Sequence, residues 1–324
     1  MNVLRFAGVI AIACGFISTG AAQVFPSRPI TIVVPFSAGG PTDVLARIMA
    51  ERMRGALGQT VLVDNATGAG GSIGVGKVFR SAPDGYTVSI GHWGTHVVNG
   101  VYYTLPYNLL TDFEPVAMIA TNPQAIISKS AVPATNLKEL IVWIRSNQDK
   151  VLMGNGAVGG ASHMGAIYFQ NLIGVKFQHV PYRGGAPALQ AILGGEVDMY
   201  VTQIANITAH VKAGRIRAYA VTAPMRQAAA PEIPTVDEAG LPGMYTSVWH
   251  GFWLPKATPK DIVMKLNSAI VESLADPAVR ERFAALGQEI PEREQQTPEA
   301  LFAHHKAEID KWWPLIKAAG IKAD

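Results

Sequence analysis

Thiols are all but missing from this chain: its 324 residues hold one cysteine, Cys14. A single thiol makes no internal disulfide and gives neither a metal nor a redox partner the second sulfur it needs. Charge is sparse too. Asp, Glu, Lys and Arg make up 16% of the residues, 27 basic against 24 acidic. No run gathers the basic ones, which argues against a nucleic-acid partner. Beyond the N-terminal segment no stretch reaches 18 uninterrupted apolar residues, so none reads as a membrane span. Low-complexity segments are absent, and Gly and Pro are spread along the chain rather than gathered in one linker.

Residues 1–22 read as a secretory signal peptide. Arg5 supplies the positive start, Phe6 to Ile17 are mostly apolar, and Gly20-Ala21-Ala22 is a small-residue cleavage site. The apolar run is shorter and more broken than the roughly 20 residues a span needs. A lipoprotein signal would use Cys14, but Ala11 stands where such a signal wants a larger aliphatic residue. Cleavage after Ala22 is expected, and it removes the only thiol. What remains, 23–324, is long for one core and predicts two domains.

The stretch that organises the chain is Pro35-Phe36-Ser37-Ala38-Gly39-Gly40-Pro41-Thr42-Asp43. The β-branched run Ile30 to Val34 enters it as a strand. Val44, Leu45, Ile48, Met49, Met53 and Leu57 leave it at helical spacing. Pro41 suits the first helical position, with Gly40 as N-cap and Gly58 past the end. A strand, a Gly-rich turn and an open helix N-terminus form an anion site, because free N–H groups and the positive end of the helix dipole point out of the turn. Asp43 in the first helical turn reads as dipole stabilisation and capping rather than as a ligand contact.

Strand and helix signals then alternate. Thr60 to Val63 and Tyr86 to Ile90 read as strands, with the turn Gly68-Ala69-Gly70-Gly71 between them. This pattern predicts an α/β domain with a mainly parallel sheet and ligands at the carboxyl ends of the strands. The loop Gly91-His92-Trp93-Gly94-Thr95-His96 follows. His92 and His96 have the spacing of a helical metal pair, but the intervening Gly94 and the lack of a nearby acidic ligand argue against metal. Phe113 to Lys129 reads as extended, and Thr135 or Asn136 as the cap of a helix through Arg145.

Val151 to Met153 lead into Gly154-Asn155-Gly156-Ala157-Val158-Gly159, the pattern of a dinucleotide fingerprint. The acid expected about 20 residues on is missing, since the chain there reads Phe177-Gln178-His179-Val180. The turn can still bind an anion through its amides. Ser162 reads as a ligand contact or, more simply, as the N-cap of the helix to Leu172. Val180-Pro181-Tyr182-Arg183-Gly184-Gly185-Ala186-Pro187 is a third Gly-rich helix entrance. Asp198, alone in an apolar strand, needs a partner, either a structural one or a ligand donor. Trp249 to Leu254 is an aromatic-rich strand containing His250. Thr258-Pro259, Asp276-Pro277 and Thr297-Pro298 each read as cap and first turn of a helix, and Gly287 closes the second. Trp312 and Trp313 read as packing; His304 and His305, among charges, read as solvated.

Several strings together resemble one family. They are Phe25-Pro26 with Pro29-Ile30 ahead of 33–43, Leu57-Gly58-Gln59, Ala82-Pro83-Asp84-Gly85-Tyr86-Thr87, Gly94-Thr95-His96, Leu105-Pro106-Tyr107, His179 to Gly184, and Pro234-Thr235 with Glu238 to Gly243. The chain resembles the periplasmic solute receptors of tripartite tricarboxylate transporters, the Bug-type family. Asn108 in place of a usual acid, Gly100 in place of a common Pro, and His92-Trp93 depart from the pattern.

The resemblance implies an α/β, two-lobe periplasmic-binding-protein (Venus flytrap) fold with two interlobe crossings. Lobe 1 would be 23–122 plus 223–324, and lobe 2 123–222. It implies a monomeric, periplasmic receptor that binds a small carboxylate, partly through water, and passes it to membrane permease subunits. No cofactor, metal, catalytic residue or nucleic acid is expected. Candidate ligand contacts are Phe36, Ser37, Ala38, Gly39, Gly40 and Thr42 at the first entrance, and Gly71 at the second turn. His92, Trp93 and Thr95 follow on the loop. Asn155, Gly156, Ser162 and His163 come from the fingerprint-like turn, and Tyr182, Gly184, Gly185 and Asp198 complete the set. His92 and Trp93 would suit an aromatic carboxylate. Two other classes compete. A secreted hydrolase lacks G-x-S-x-G, which Gly160-Ala161-Ser162-His163-Met164-Gly165 misses by one spacing. A nicotinamide-dependent oxidoreductase lacks its ribose-binding acid.

Overall fold

The computed structural model describes residues 25–147, 150–156, 158–182 and 184–320. The expected signal peptide, residues 1–22, lies outside them. Nine strands form one continuous hydrogen-bonded sheet, in the order β2-β1-β3-β9-β4-β7-β5-β6, with β8 on β4. β1 (Ile30–Val34), β2 (Val61–Asn65) and β3 (Thr87–His92) are parallel, and β9 (Ser247–Pro255) runs antiparallel beside β3. At the other end, β5 (Leu152–Asn155), β6 (Gln178–Pro181) and β7 (Met199–Gln203) are parallel.

β4 (Phe113–Lys129) joins the two halves. From Phe113 to Pro123 it pairs with β9, and from Gln124 onward with β7 and with β8 (Ile216–Val221). Three chain segments meet at the junction. The Gln124 N–H donates to Thr222 Oγ1 at 3.0 Å, the Thr246 hydroxyl donates to the same oxygen at 2.9 Å, and Thr222 Oγ1 donates to the Thr246 carbonyl at 2.8 Å.

Each half has its own core. In the first, α1 (Pro41–Leu57), α8 (Lys260–Ala275) and α9 (Pro277–Ala285) cover the sheet, burying Ile32, Leu45, Met49, Leu266, Phe252 and Phe283. In the second, α4 (Leu137–Asn147) and α5 (Ala161–Ile173) bury Leu140, Met153, Phe169 and Val201 on one face. α6 (Gly185–Gly194) packs on the other face over Ile127, Ile192 and Tyr200. Val236 and Met244 join the α4–α5 core, and Ala230 and Ile233 the α6 core. A third apolar cluster gathers Trp93, Trp249, Trp253 and Trp312 under α10 (Pro298–Ala318) and reaches Met164 and Ile167 of α5.

Most helix signals hold. Gly40 caps α1 with Pro41 behind it, and Gly58 closes it at φ +64°. Asp276 and Thr297 cap α9 and α10 through their side chains. Thr258 does not cap α8, because its hydroxyl turns back to the Pro255 carbonyl at 2.8 Å. Ser162 is not the N-cap of α5 either; Gly160 holds that position. His304 and His305 are not solvated. His305 is 2% exposed and donates through Nε2 to the His96 carbonyl.

α2 (Ser72–Phe79) fixes the end of β1, because Gly74 sits directly on it. A Cβ there would come within 2.7 Å of the Ala66 carbonyl oxygen and 2.8 Å of Pro35 Cα. Backbone cannot swing aside as a side chain can. Gly74→Ala should therefore destabilise by about 1–3 kcal/mol, although alanine favours a helix by roughly 1 kcal/mol over glycine. Urea unfolding decides the sign, and a stabilised variant would show that the contact relaxes freely.

Candidate functional site

The β1–α1 turn is pinned from below by Asp43, which is 1% exposed. One carboxylate oxygen accepts the Gly39 N–H at 2.8 Å and Arg47 Nε–H at 2.9 Å. The other accepts Asn65 Nδ2–H at 2.9 Å, and Nδ2 also donates to the Phe36 carbonyl at 2.9 Å. The Arg47 hydrogen bond, helped by Gly39 and Asn65, holds the carboxyl at a pKa of about 2. Asp43 is thus the structural peg that its place in the first helical turn suggested.

The same bonds narrow the expected amide clamp. The Gly39 N–H belongs to Asp43, and the Gly40 N–H leans on the Ser37 carbonyl at 3.3 Å. The N–H groups of Ala38, Thr42 and Asp43 have no partner among the described residues. They sit at the positive end of a 17-residue helix.

This helix start opens onto a cleft of about 870 Å³. Phe36, Ser37, Gly39, Gly40, Thr42 and His92 line it from the first half, and Gly185 from the second. Gly185 and Ala186 begin α6, so two helix N-termini border one space. Gln203, Asn206 and Gln288 add neutral polar groups, and Leu45, Val248, Leu189 and Leu286 add apolar ones. Among the described lining residues none is Asp, Glu, Lys or Arg. The donors that the described lining offers an anion are neutral.

Strand alternation decides which face of the crossing is the cleft. Asn122, Val248 and His250 point into it. Their neighbours Thr121, Pro123, Ser247 and Trp249 line a second cavity of about 800 Å³ on the opposite face. That cavity carries Arg226 and Arg280 together with Glu281, Glu289 and Glu308, and none of the residues singled out in the sequence as ligand contacts.

Other candidates serve the scaffold. Trp93 does not reach the cleft. It is 4% exposed and meets Trp312 edge-on at 5.3 Å, because the turn Gly94–Val98 carries the loop into the core. Thr95 is fully buried and takes the His92 N–H at 3.0 Å. Gly71 packs on it so closely that a Cβ would come to 2.7 Å from Thr95 Cγ2. The fingerprint-like turn is filled by its own helix: Gly156 N–H donates to Ser162 Oγ at 2.8 Å and Gly159 N–H to His163 Nδ1 at 2.9 Å. Asn155 Nδ2 donates to His179 Nδ1 at 3.0 Å, and the Gly184 N–H donates to the Gly156 carbonyl at 2.5 Å. Tyr182 is half-buried against the α6 core, its hydroxyl toward Glu196. Asp198 pairs with Lys129 at 2.7 Å and accepts the Leu152 N–H at 2.9 Å, a structural role. Ala38 stands at the rim and is exposed.

Asn122, Gln203, Asn206, Gln288 and His250 were not among the candidates. His250 pairs in register with His92 across β3 and β9, and its Nε2 lies 3.2 Å from Thr42 Oγ1. A histidine inside an otherwise apolar strand was the available signal.

Comparison with known proteins decides the family. The sequence profile of the tripartite tricarboxylate transporter family receptor matches residues 45–321. The chain belongs to this receptor family. A Polaromonas solute-binding protein of the same type, solved without ligand, superposes with a TM-score of 0.82 at 28% identity, covering 91% of this chain and 99% of that one. MatC from Rhodopseudomonas palustris, solved with malate, gives 0.72 at 36% identity over 90% of this receptor and 100% of that chain. A second R. palustris protein, solved with adipate, gives 0.73 at 34% over 92% and 100%. These matches support the two-lobe periplasmic-binding-protein fold. The family and these neighbours are solute-binding proteins rather than enzymes. No helix among the described residues of the receptor is long and apolar enough to cross a membrane.

Burial drives several buried histidines of this receptor below their ordinary range. His92, His163 and His305 fall to about 4, and His96 and His250 well below 6.5. Below about pH 6.5 the unfolded chain takes up protons that the folded chain refuses. The histidine contribution to stability is therefore complete above that value and erodes as the pH falls toward 4. Thermal melts across this range should show a midpoint that drops with acidification. A constant midpoint would contradict neutral, buried imidazoles.

Proposed function

We propose that this receptor captures a small carboxylate in the cleft between its lobes in the periplasm and delivers it to the permease subunits of a tripartite transporter. One observation carries the reading: the open N-termini of α1 and α6 border a single cleft that has no charged side chain among its described lining residues. Amides at helix starts bind carboxylate oxygens without a cationic partner, and bridging water fits such a site at little cost. The malate and adipate held by two relatives fit the same chemistry. Delivery to a permease rests on the family.

The lobes meet at the junction of β4, Thr222 and Thr246. The packing of Ala230, Ile233, Val236 and Met244 favours assigning residues up to about 244 to the second lobe. The boundary then lies beyond the position at residue 222 that the sequence suggested. The Thr222–Thr246 junction is the hinge on which the lobes close over ligand.

A thermal-shift screen over small carboxylates tests the function. A ligand at 100 times its dissociation constant adds about 2.7 kcal/mol of stability, a plain rise in melting temperature. With a hit in hand, small-angle scattering should show a smaller radius of gyration at saturation. Gly39→Val tests the clamp. A Cβ at Gly39 meets nothing within 4 Å, so the added side chain projects into the cleft mouth, and its φ of +81° adds strain. Affinity should fall at least tenfold. A screen without a hit would remove the carboxylate reading, and undiminished binding by a folded Gly39→Val would remove the clamp.

A further inference from the structure

His92 closes β3 in the wall of the cleft, and its ring is held on several sides. Phe36 stacks on it at 4.6 Å and 21°, and His250 meets it edge-on at 5.5 Å. Gly94 approaches so closely that a Cβ there would stand 2.6 Å from His92 Cε1. The Gly94 N–H donates to His92 Nδ1 at 2.8 Å, and the Thr95 N–H points to the same atom at 3.4 Å. Backbone amides only donate, so Nδ1 is an acceptor and carries no proton. The proton of the neutral ring is therefore on Nε2.

No described residue accepts that proton. Nor is Nε2 one of the buried unpartnered nitrogens, as His96 Nε2 and His250 Nδ1 are. It faces open space, and His92 borders the cleft. We infer that His92 is a ligand-binding residue whose Nε2–H is a fixed, neutral hydrogen-bond donor to a carboxylate oxygen in the cleft. The inference rests on the carboxylate reading and adds a donor that neither helix N-terminus supplies.

Geometry also keeps the ring neutral. Protonating Nδ1 would set its N–H against those of Gly94 and Thr95. Burial acts in the same direction, lowering the imidazole to about 4. The titratable groups facing it are His250 on β9 and His96 on its own turn, both held neutral by burial. No described acid or Lys/Arg lines the cleft to oppose this. His92 thus adds no pH dependence of its own to ligand affinity across the range where a free histidine titrates.

Two substitutions separate the roles of the two nitrogens. In His92→Asn the side-chain oxygen takes the place of Nδ1 and keeps the turn amides satisfied, while the donor is lost. In His92→Gln the amide nitrogen reaches the Nε2 position. Titration calorimetry with malate, adipate, citrate and benzoate as probes reads the outcome. His92→Asn should melt close to the wild type and bind the preferred probe about ten- to a hundredfold more weakly, the scale of one hydrogen bond to a charged group. His92→Gln should recover most of that loss. Once the probe's own carboxyl titration is allowed for, wild-type affinity should change by less than about twofold between pH 8 and 5.5, because Nδ1 remains unprotonated. Nitrogen NMR of histidine-labelled wild type should show Nδ1 bare and Nε2 protonated throughout, whether or not a probe is present.

Unchanged binding by a folded His92→Asn overturns the inference and leaves the carboxylate reading intact. A protonated Nδ1, or an affinity that climbs as pH falls through 6, overturns it as well. Failure of every carboxylate in the thermal-shift screen, these four included, to bind the wild type removes both.

Discussion

The geometry of the cleft depends on one buried carboxylate. Asp43 gathers Gly39, Asn65 and Arg47 onto its two oxygens, and Asn65 ties the Phe36 carbonyl to the same group. A buried charge is tolerated only when its oxygens are satisfied, and here two of the three partners hold the loop itself. The charge also stands in the first turn of α1, where the helix dipole favours it. Removing it would leave the loop amides and Asn65 without their acceptor. With it in place, the N–H groups of Thr42 and Ala38 are held open rather than folded back on their own turn. Preorganised donors of this kind bind without an ordering cost.

The second constraint is β4. One strand of 17 residues serves both halves, pairing with β9 in its first part and with β7 and β8 in its second. At the changeover successive side chains face opposite sides, so Asn122 enters the cleft while Thr121 and Pro123 enter the cavity behind it. The hydroxyls of Thr222 and Thr246 bind the three crossing segments through their own backbone groups. Beside this junction the apolar cluster under α10 reaches Met164 and Ile167 of α5, so the two halves also share a packed contact.

What was legible in the sequence was local. The strand, Gly-rich turn and Pro-started helix at 30–57 were readable because each signal acts within a few residues. The α/β class followed from their repetition. What was not legible depended on partners far along the chain. Asp198 finds Lys129, 69 residues away on β4, and no local pattern announces it. The turn at 154–159 looks open in sequence and is closed in space by Ser162 and His163 from the helix it introduces. Two errors had a readable cause. His305 lies at helical spacing with Leu301, Ile309, Trp312 and Ile316, all buried, so its face was apolar despite the neighbouring charges. Trp93 stands four residues before Val97, and both turn into the core. Asn122 and Gln203 required the sheet register, which fixes the face each side chain takes, and Asn206 the short turn Ile204–Asn206 that follows β7.

The central claim is that a cleft with no charged side chain among its described lining residues holds a carboxylate by the start of α1. A crystal structure of the receptor grown with a carboxylate that shifts its melting temperature tests this most directly. The account predicts carboxylate oxygens within hydrogen-bond distance of the Thr42 and Ala38 amides, directly or through one water, with the far end of the ligand toward Gly185. A ligand found instead in the cavity beside Trp249 and Arg280, or in the cleft with its carboxylate turned away from α1, would contradict it.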